Sequence, residues 1–360
     1  MTCFRFLPIL FGVAMLLVGG LSGGAFAADD SDQSYLASLI SSALSTPQAQ
    51  VRIGRLDGAL SSDATLYDLT ISDGDGVWLT LDKARLVWTR SALFQRRLQI
   101  DKLEVGKLEI LRKPKPVAGA AASSGPLLPE PPVEVAVKDF SLANLSLGQA
   151  LLGVAGQFSA AGAARLGSPS QGLELHLDAK RLDAPGSFST RLTYVPQGQS
   201  LDLSVKLDEP RGGFLARLAQ LPGEPPIELD IDGKGTLDAF SAGVNFDAGP
   251  TIGANGSVKL AREGAVRHLV LDVDSRMAGL LPPPLAPVFV GKTTLKGDVK
   301  FADDGGIGLD GFSIASPVAR LDVSGTLDAA RNSDLRIKAA AIPSASGSTK
   351  AADVEISKLT

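Results

Sequence analysis

Three side chains that could bind a metal ion, Glu174, His176 and Asp178, alternate with leucines in the segment 173–178. In a strand, alternate positions share a face, so the three would point the same way. A transition-metal site needs a further protein ligand or cluster, and the only other histidine is His268. We therefore interpret the triplet as the solvated face of a strand and predict no metal site.

A second candidate is the sequence Asp73-Gly74-Asp75-Gly76, which resembles the start of a calcium-binding loop. Such a loop ends in a bidentate Glu at its twelfth position, which here is Ala84. Alternating apolar residues flank the four-residue sequence on both sides, as in a β-hairpin. The segment is interpreted as a turn.

The sequence offers little for common active sites. It has no phosphate-binding loop of the form G-x-x-x-x-G-K-[ST]. The G-x-S-x-G string at residues 20–24 lies in the apolar N-terminal segment, and the G-x-G-x-x-G string at residues 306–311 lies in a strand-like segment, so neither has the strand-to-helix context of its motif. Trp78 and Trp88 lie in strand-like segments and are interpreted as wall or interface residues. The sequence therefore predicts neither an enzyme nor a cofactor.

Composition limits the class of partner. Hydrophobic residues make up 44% of the 360-residue chain, and charged residues make up 21%, so the chain can bury apolar surface. The formal net charge is −4, and no run of Lys and Arg is present. Nucleic acid is therefore excluded as the expected partner, because phosphate binding needs a concentrated basic face.

The N-terminus has the order of an export signal. Arg5 precedes a short apolar run, and an A-x-A sequence ends at Ala27, before Ala28. Residues 1–27 are expected to be a signal peptide cleaved between Ala27 and Ala28, or alternatively an uncleaved inner-membrane anchor. Residues 28–46 have helical spacing and are expected to form an amphipathic helix. Export is expected in either case.

An apolar pattern with a regular irregularity occupies residues 98–110, LQIDKLEVGKLEI. Its apolar positions advance by two, three, two, three and two residues. Moved on by 37 residues, every one falls on another apolar residue, so the pattern repeats. A looser copy begins at Ile307. The two sets are Leu98, Ile100, Leu103, Val105, Leu108 and Ile110, and Val135, Val137, Phe140, Leu142, Leu145 and Leu147.

A step of three would turn the apolar set to the other face of a strand unless an extra residue were accommodated in a bulge. Repeated bulges would bend the sheet while one face stays apolar. We therefore predict a mainly β fold: an elongated, curved antiparallel sheet that forms a groove, with a few short helices. Two groove segments are expected, 47–111 and 133–360, separated by a Pro/Ala/Ser-rich linker or loop at 112–132. The second segment is expected to be truncated at its C-terminal end.

The segment 51–105, VRIGRLDGALSSDATLYDLTISDGDGVWLTLDKARLVWTRSALFQRRLQIDKLEV, resembles the N-terminal region of the TamB family. The match lies in the order G-x-L-x-G-x-L-S-S-D, strand, D-G-V-W-L, strand, L-x-W, short helix and R-L-x-I-D-K-L-x-V. TamB is the inner-membrane subunit of the translocation and assembly module and belongs to the AsmA-like group of bridge-like lipid transfer proteins.

The resemblance implies a place and partners. It implies a protein in the periplasm of a diderm bacterium, associated with the inner membrane. Its groove would carry phospholipid between the inner and outer membranes and support outer-membrane protein assembly and secretion. A BamA-like barrel in the outer membrane would be a partner through a C-terminal region that this chain lacks.

Two classes of function remain open. The first is a lipid-conducting groove, with the twelve repeated apolar residues as its wall. The second is a structural or adhesive exported β-repeat protein with a closed core and no lipid transport. Apolar periodicity fits both, and they differ in whether a second protein layer covers the apolar face.

Overall fold

The structure, a computed structural model, describes residues 49–58, 61–115, 133–302, 305–328, 333–342 and 354–357. The expected signal peptide at 1–27 with its site at Ala27 and Ala28, the expected helix at 28–46 and most of the linker at 112–132 lie outside these residues. Residue contacts divide the chain into two compact units at 161/162, within one strand. We call them the N-terminal unit and the C-terminal unit.

The N-terminal unit is built from two short strands followed by five long ones. The alternation of apolar and polar residues accounts for them, since each strand can bury one face. Its strands are β1 (Gln50–Arg52), β2 (Arg55–Asp57), β3 (Asp63–Asp73), β4 (Gly76–Thr89), β5 (Arg97–Ile110), β6 (Glu134–Leu147) and β7 (Gly156–Leu166), the last of which contains the division. Its helices are a 3₁₀ helix at Arg90–Gln95 and α1 (Gln149–Leu152).

The described pairings among β1 to β6 are antiparallel with one exception. Strands β1 and β2 both pair with β3, which pairs with β4, and β4 pairs with β5. Strands β5 and β6, which flank the segment 112–132, pair in parallel, and each paired residue of β5 faces the residue 37 positions later. The offset of the sequence repeat is therefore the register of two neighbouring strands.

The repeated skips take two forms. Between Val87 and Trp88 the pairing of β4 with β5 shifts by one residue, so the skip at Asp101 is a bulge, as predicted. The skip at Gly106 differs, because the register is the same on both sides of it. There β4 makes the matching step of three, from Leu81 to Ala84, so both strands accommodate an extra residue together.

The C-terminal unit has strands of 9 to 11 residues, followed by one of four residues. They are β8 (Leu173–Arg181), β9 (Ser187–Val195), β10 (Ser200–Glu209), β11 (Ile227–Thr236), β12 (Ala239–Asp247), β13 (Gly253–Glu263), β14 (Val266–Arg276), β15 (Thr293–Ala302), β16 (Ile307–Ala315), β17 (Ala319–Leu327), β18 (Ser333–Ala341) and β19 (Val354–Ser357). Short helices lie between strands: α2 (Phe214–Leu218) and 3₁₀ helices at Pro196–Gly198, Ala278–Leu280 and Ala286–Phe289.

From β8 to β19 each strand pairs antiparallel with the next one along the chain. The third copy of the skip lies in β16, where the register with β17 shifts between Leu309 and Phe312. Gly311 there has φ of 58°, a conformation that favours glycine. The prediction of a mainly β, predominantly antiparallel fold with few short helices is confirmed, and β5–β6 is the parallel exception.

Candidate functional site

The twelve candidate wall residues face one another in pairs. Leu98 pairs with Val135, and the same offset joins Ile100 to Val137, continuing through Leu103–Phe140, Val105–Leu142, Leu108–Leu145 and Ile110–Leu147. Paired residues of neighbouring strands project from the same face of a sheet. The two sequence copies therefore lie side by side on one face of the β5–β6 pair.

Much of that surface is closed. Ile100 is 0% exposed, and Leu98 and Val135 are each 1% exposed. These three share a buried cluster with Leu86 and Trp88. The six wall candidates that are fully buried are Leu98, Ile100, Val105, Leu108, Val135 and Leu142, and the other six are half-buried.

A second buried cluster shows which residues help to cover the repeated apolar surface. Val105, Leu108 and Leu142 pack there with Ile53 and with Leu56, which is 0% exposed and belongs to the short strand β2. Trp78, 3% exposed, lies in the same cluster. Trp78 and Trp88 are therefore core residues of the N-terminal unit.

The C-terminal unit carries a longer apolar row. One residue from each of eleven consecutive strands, β8 to β18, stands beside the next in direct cross-strand register. The row is Leu177, Thr190, Val205, Ile231, Val244, Gly256, Val273, Leu295, Ile314, Leu321 and Ala339. We call the face of the sheet that carries this row the apolar face.

Every residue of this row is half-buried. The neighbouring row behaves alike at its large side chains, for example Leu192, Leu203 and Leu271, which are also half-buried. In a sheet covered by a second layer, central Leu, Ile and Val side chains become almost fully buried. Among the described residues of this unit, the apolar face thus lies largely open along its centre.

The opposite face of the same strands is polar. A second cross-strand row is offset from the apolar row by one residue along each strand. It consists of Asp178, Ser189, Lys206, Asp230, Asn245, Asn255, Asp274 and Thr294. Lys206 Nζ lies 2.9 Å from Asp230 Oδ2, and Thr294 donates a hydrogen bond of 2.9 Å to Asp274. The hydrogen bond between Lys206 and Asp230 raises the pKa of the Lys206 ammonium and lowers the pKa of the Asp230 carboxyl. The sheet therefore separates a water-facing side from an apolar side.

One end of the apolar face is covered locally. Ala216 of α2 packs with Ile227, Ala248 and Ile252 in a buried cluster. Beside it, the carboxylate of Glu209 accepts hydrogen bonds from the backbone N–H groups of Phe214 (3.1 Å) and Leu215 (2.8 Å). Arg181, whose side chain is 3% exposed, lies 3.7 Å from Glu209 and 2.7 Å from Asp183.

The side chains considered as metal ligands take part in pairwise contacts with neighbouring charged side chains. His176 lies 3.1 Å from Asp178, and Glu174 lies 3.7 Å from Arg165, with all four side chains at least 38% exposed. No group of three or more His, Cys, Asp or Glu side chains suited to a metal ion occurs within the described parts of the chain. His268 Nδ1 lies 2.8 Å from Asp298 Oδ2 on the polar side of β14 and β15.

The sequence Asp73-Gly74-Asp75-Gly76 forms the turn between β3 and β4, as interpreted. The side chain of Asp73 is 2% exposed and binds Arg112 Nη2 at 2.6 Å and Lys115 N at 2.8 Å. The guanidinium and the backbone N–H hold the pKa of Asp73 well below its usual range. The start of the segment 112–132 is thus fixed to this turn.

Sequence reasoning took its wall residues from the repeated copies alone, although it expected the later strands to belong to the groove as well. The signal for those strands was present as strict alternation, for example Leu201, Leu203, Val205 and Leu207 in β10. Alternation reports that one face is apolar, but it does not report whether another layer covers that face. The open face is therefore found in the structure and not in the sequence.

No helix among the described residues combines the length and apolar character needed to cross a bilayer. Comparisons with protein-family models, curated proteins and solved structures found no match to this chain.

Proposed function

We propose that this chain is a TamB-like envelope protein, located in the periplasm at the inner membrane, whose apolar face carries the acyl chains of phospholipids between the two membranes. The observation that supports this proposal is the half-buried apolar row across eleven strands, backed by a polar row on the other side of the sheet. Support for outer-membrane protein assembly, with a BamA-like barrel as partner, belongs to the same proposal through the TamB resemblance.

The chemistry required is solvation, not catalysis. A phospholipid that leaves a bilayer exposes its acyl chains to water at about 0.8 kcal/mol for each methylene. A chain of about twelve methylenes therefore faces a barrier on the order of 10 kcal/mol. A strip of mainly Leu, Val and Ile side chains removes much of that barrier along its length.

The open side also suits the polar headgroup. A lipid whose tails lie on the apolar face can keep its charged headgroup in water, so no buried charge has to be neutralised. Polar residues on the far side of the sheet keep that side hydrated. This arrangement explains why a transfer protein would leave large apolar side chains half-buried.

A structural or adhesive role is the second candidate, and the N-terminal unit favours it. There the repeated wall residues lie in closed clusters, with Leu98, Ile100 and Val135 at most 1% exposed. A unit with such a core can act as a scaffold without carrying lipid. The wall of the proposed groove is accordingly assigned to the C-terminal unit.

Two matched substitutions test the proposal. Val273 lies in the apolar row, whereas Val270, three residues earlier in β14, lies on the polar side and is 39% exposed. Val273→Asp places a charge on the lipid path, and Val270→Asp places the same charge off it. Both positions are open to water, so both variants should fold.

The readout is crosslinking of a photoactivatable phospholipid to the protein in the cell envelope, with circular dichroism as the check of folding. We expect Val273→Asp to lose most crosslinking and Val270→Asp to keep it. Equal crosslinking in the two folded variants would reject the groove and favour the structural role.

A further inference from the structure

A loop between β14 and β15 consists entirely of residues without polar side chains. It runs over fifteen positions, 277–291, with the sequence MAGLLPPPLAPVFVG. Leu280 is 52% exposed, Leu285 is 50% exposed and Val290 is 62% exposed. A loop in water normally contains polar side chains, so this one has the composition of a contact surface. We call residues 277–291 the tip loop.

The backbone of the tip loop needs little water. Four of its residues are prolines and have no N–H to hydrate. Six further N–H groups bond to carbonyl oxygens within the protein at 2.9–3.4 Å, from Gly279, Leu280, Leu281, Leu285, Ala286 and Val288. An unsatisfied backbone group is costly in hydrocarbon. Because at least ten of the fifteen residues leave no N–H group without a partner, the loop is suited to an apolar environment.

A basic residue borders the loop on each side. Arg276 precedes it and pairs with Asp247, and Lys292 follows it and lies 2.7 Å from Asp274. The side chain of Lys292 is 67% exposed. Long basic side chains at the border of an apolar segment can place their charge at the level of lipid phosphates while their stems stay in an apolar layer.

The tip loop lies on an apolar rim of the C-terminal unit. Four other large apolar residues with exposed side chains lie at the same ends of the strands: Leu182, Leu218, Val318 and Ile342. At the opposite strand ends, among the described residues, the one comparable side chain is Phe301, 37% exposed. The loops there are polar or glycine-rich, as in 167–172 and 196–199.

We propose that the tip loop inserts into the surface of a phospholipid bilayer, with Leu280, Leu285 and Val290 below the headgroups and with Arg276 and Lys292 at their level. A partner recognised by charge does not fit fifteen positions without a polar side chain. A bilayer fits them, because it needs apolar side chains, a satisfied backbone and bordering cations. The inference concerns docking and does not depend on transport along the apolar face.

Depth-dependent quenching tests the insertion in the full chain. The single cysteine, Cys3, is replaced by Ser, and an environment-sensitive dye is attached at Val290→Cys or, as the control on the opposite rim, at Gln197→Cys. The protein is bound to phosphatidylcholine vesicles that contain acyl-chain-brominated lipid. We expect a blue shift and strong quenching at position 290 and neither at position 197. Equal quenching at the two positions would overturn the proposal.

Two double variants, each labelled at position 290, identify the contacts. Leu280→Ser with Leu285→Ser removes apolar side chains, whereas Leu280→Met with Leu285→Met preserves them. We expect the serine pair to lose the quenching and the methionine pair to keep it. Quenching that is the same in both pairs would overturn the proposal. A blue shift that needs no vesicles and grows with protein concentration would also overturn it, because the loop would then bind a second copy.

Discussion

The same strand pattern has two outcomes in this chain. In the N-terminal unit, Leu98 and Ile100 are almost fully buried, and apolar residues from the short strands β1 and β2 join one of its clusters. In the C-terminal unit, Val205 and Ile231 also lie on the apolar face of their strands, but they stay half-buried. Alternation of residue type therefore gives a sheet an apolar face, and the segments packed on that face decide whether it becomes a core or a surface.

The two regions also differ in how they accommodate irregularity. In the N-terminal unit, steps of three occur side by side, from Leu66 to Leu69 in β3 and from Leu81 to Ala84 in β4. The neighbouring strands β5 and β6 make the same step. The alternation of apolar and polar residues therefore shifts at the same level in four strands, and their apolar residues remain on one face of the sheet. Most C-terminal strands alternate strictly, with a local shift at β15–β17. Strict alternation gives straight cross-strand rows such as the one on the apolar face.

The largest expected effect comes from one substitution made in both regions. Ile100→Ala removes a fully buried side chain and leaves a cavity, and should lower the free energy of unfolding by about 4 kcal/mol. Ile231→Ala removes a half-buried side chain beside open space and should cost about 1 kcal/mol. Both tryptophans, Trp78 and Trp88, lie in the N-terminal unit, so their fluorescence during urea unfolding reports on that unit.

The tryptophan transition should move to lower urea for Ile100→Ala and stay in place for Ile231→Ala. Circular dichroism follows the C-terminal unit in the same titration. Comparable losses for the two variants would mean that the apolar face is covered in solution, and the contrast between the units would fail.

The covered end of the C-terminal unit should behave like a core. Glu209→Ala removes the acceptor of two backbone N–H groups and leaves the buried Arg181 with Asp183 as its remaining carboxylate within 4 Å among the described residues. We expect a loss of about 3 kcal/mol, because two backbone N–H groups lose a charged acceptor in a buried site. Glu209→Gln keeps one acceptor oxygen and should lose less, as measured by urea unfolding with circular dichroism. A negligible effect of Glu209→Ala would show that this end is as open as the centre of the face.

Much of the fold was predictable from local chemistry. Apolar residues at alternate positions predict strands, and the glycines and aspartates at 73–76 predict the first hairpin. The offset of 37 between the two copies even matched a strand register, although the sequence did not reveal that the pair is parallel. A parallel neighbour requires a long connection, and the segment 112–132 supplies its length.

The candidate site was only partly predictable, because exposure depends on residues distant in sequence. Leu98 and Leu203 have the same local pattern, yet one is 1% exposed and the other is half-buried. In the same strand as Leu98, Val105 is buried in a cluster that includes Leu56, more than forty residues earlier in the chain. No local pattern carries that information, so the choice of the repeated copies as the wall followed the strongest signal and not the openness of the face.

The smallest expected effect is also the sharpest test of an open apolar face. An ideal Cβ added to Gly233 would lie 2.3 Å from Cζ of Phe240, the far end of a flexible side chain, and 3.0 Å from Cβ of Ala242. Over an open face the ring can swing away and Ala242 needs to shift by only a few tenths of an ångström. Gly233→Ala should therefore change the free energy of unfolding by less than about 0.5 kcal/mol, since alanine also lowers the entropy of the unfolded chain. Under a second layer the ring would have nowhere to go, and overpacking would cost about 2 kcal/mol.

Gly256→Ala is the control, because its Cβ would lie 2.2 Å from the backbone oxygen of Asp272 and must push two strands apart whether the face is open or covered. A near-neutral Gly233→Ala beside a clearly destabilising Gly256→Ala, both measured by urea unfolding with circular dichroism, would support the open face, and equal losses would contradict it.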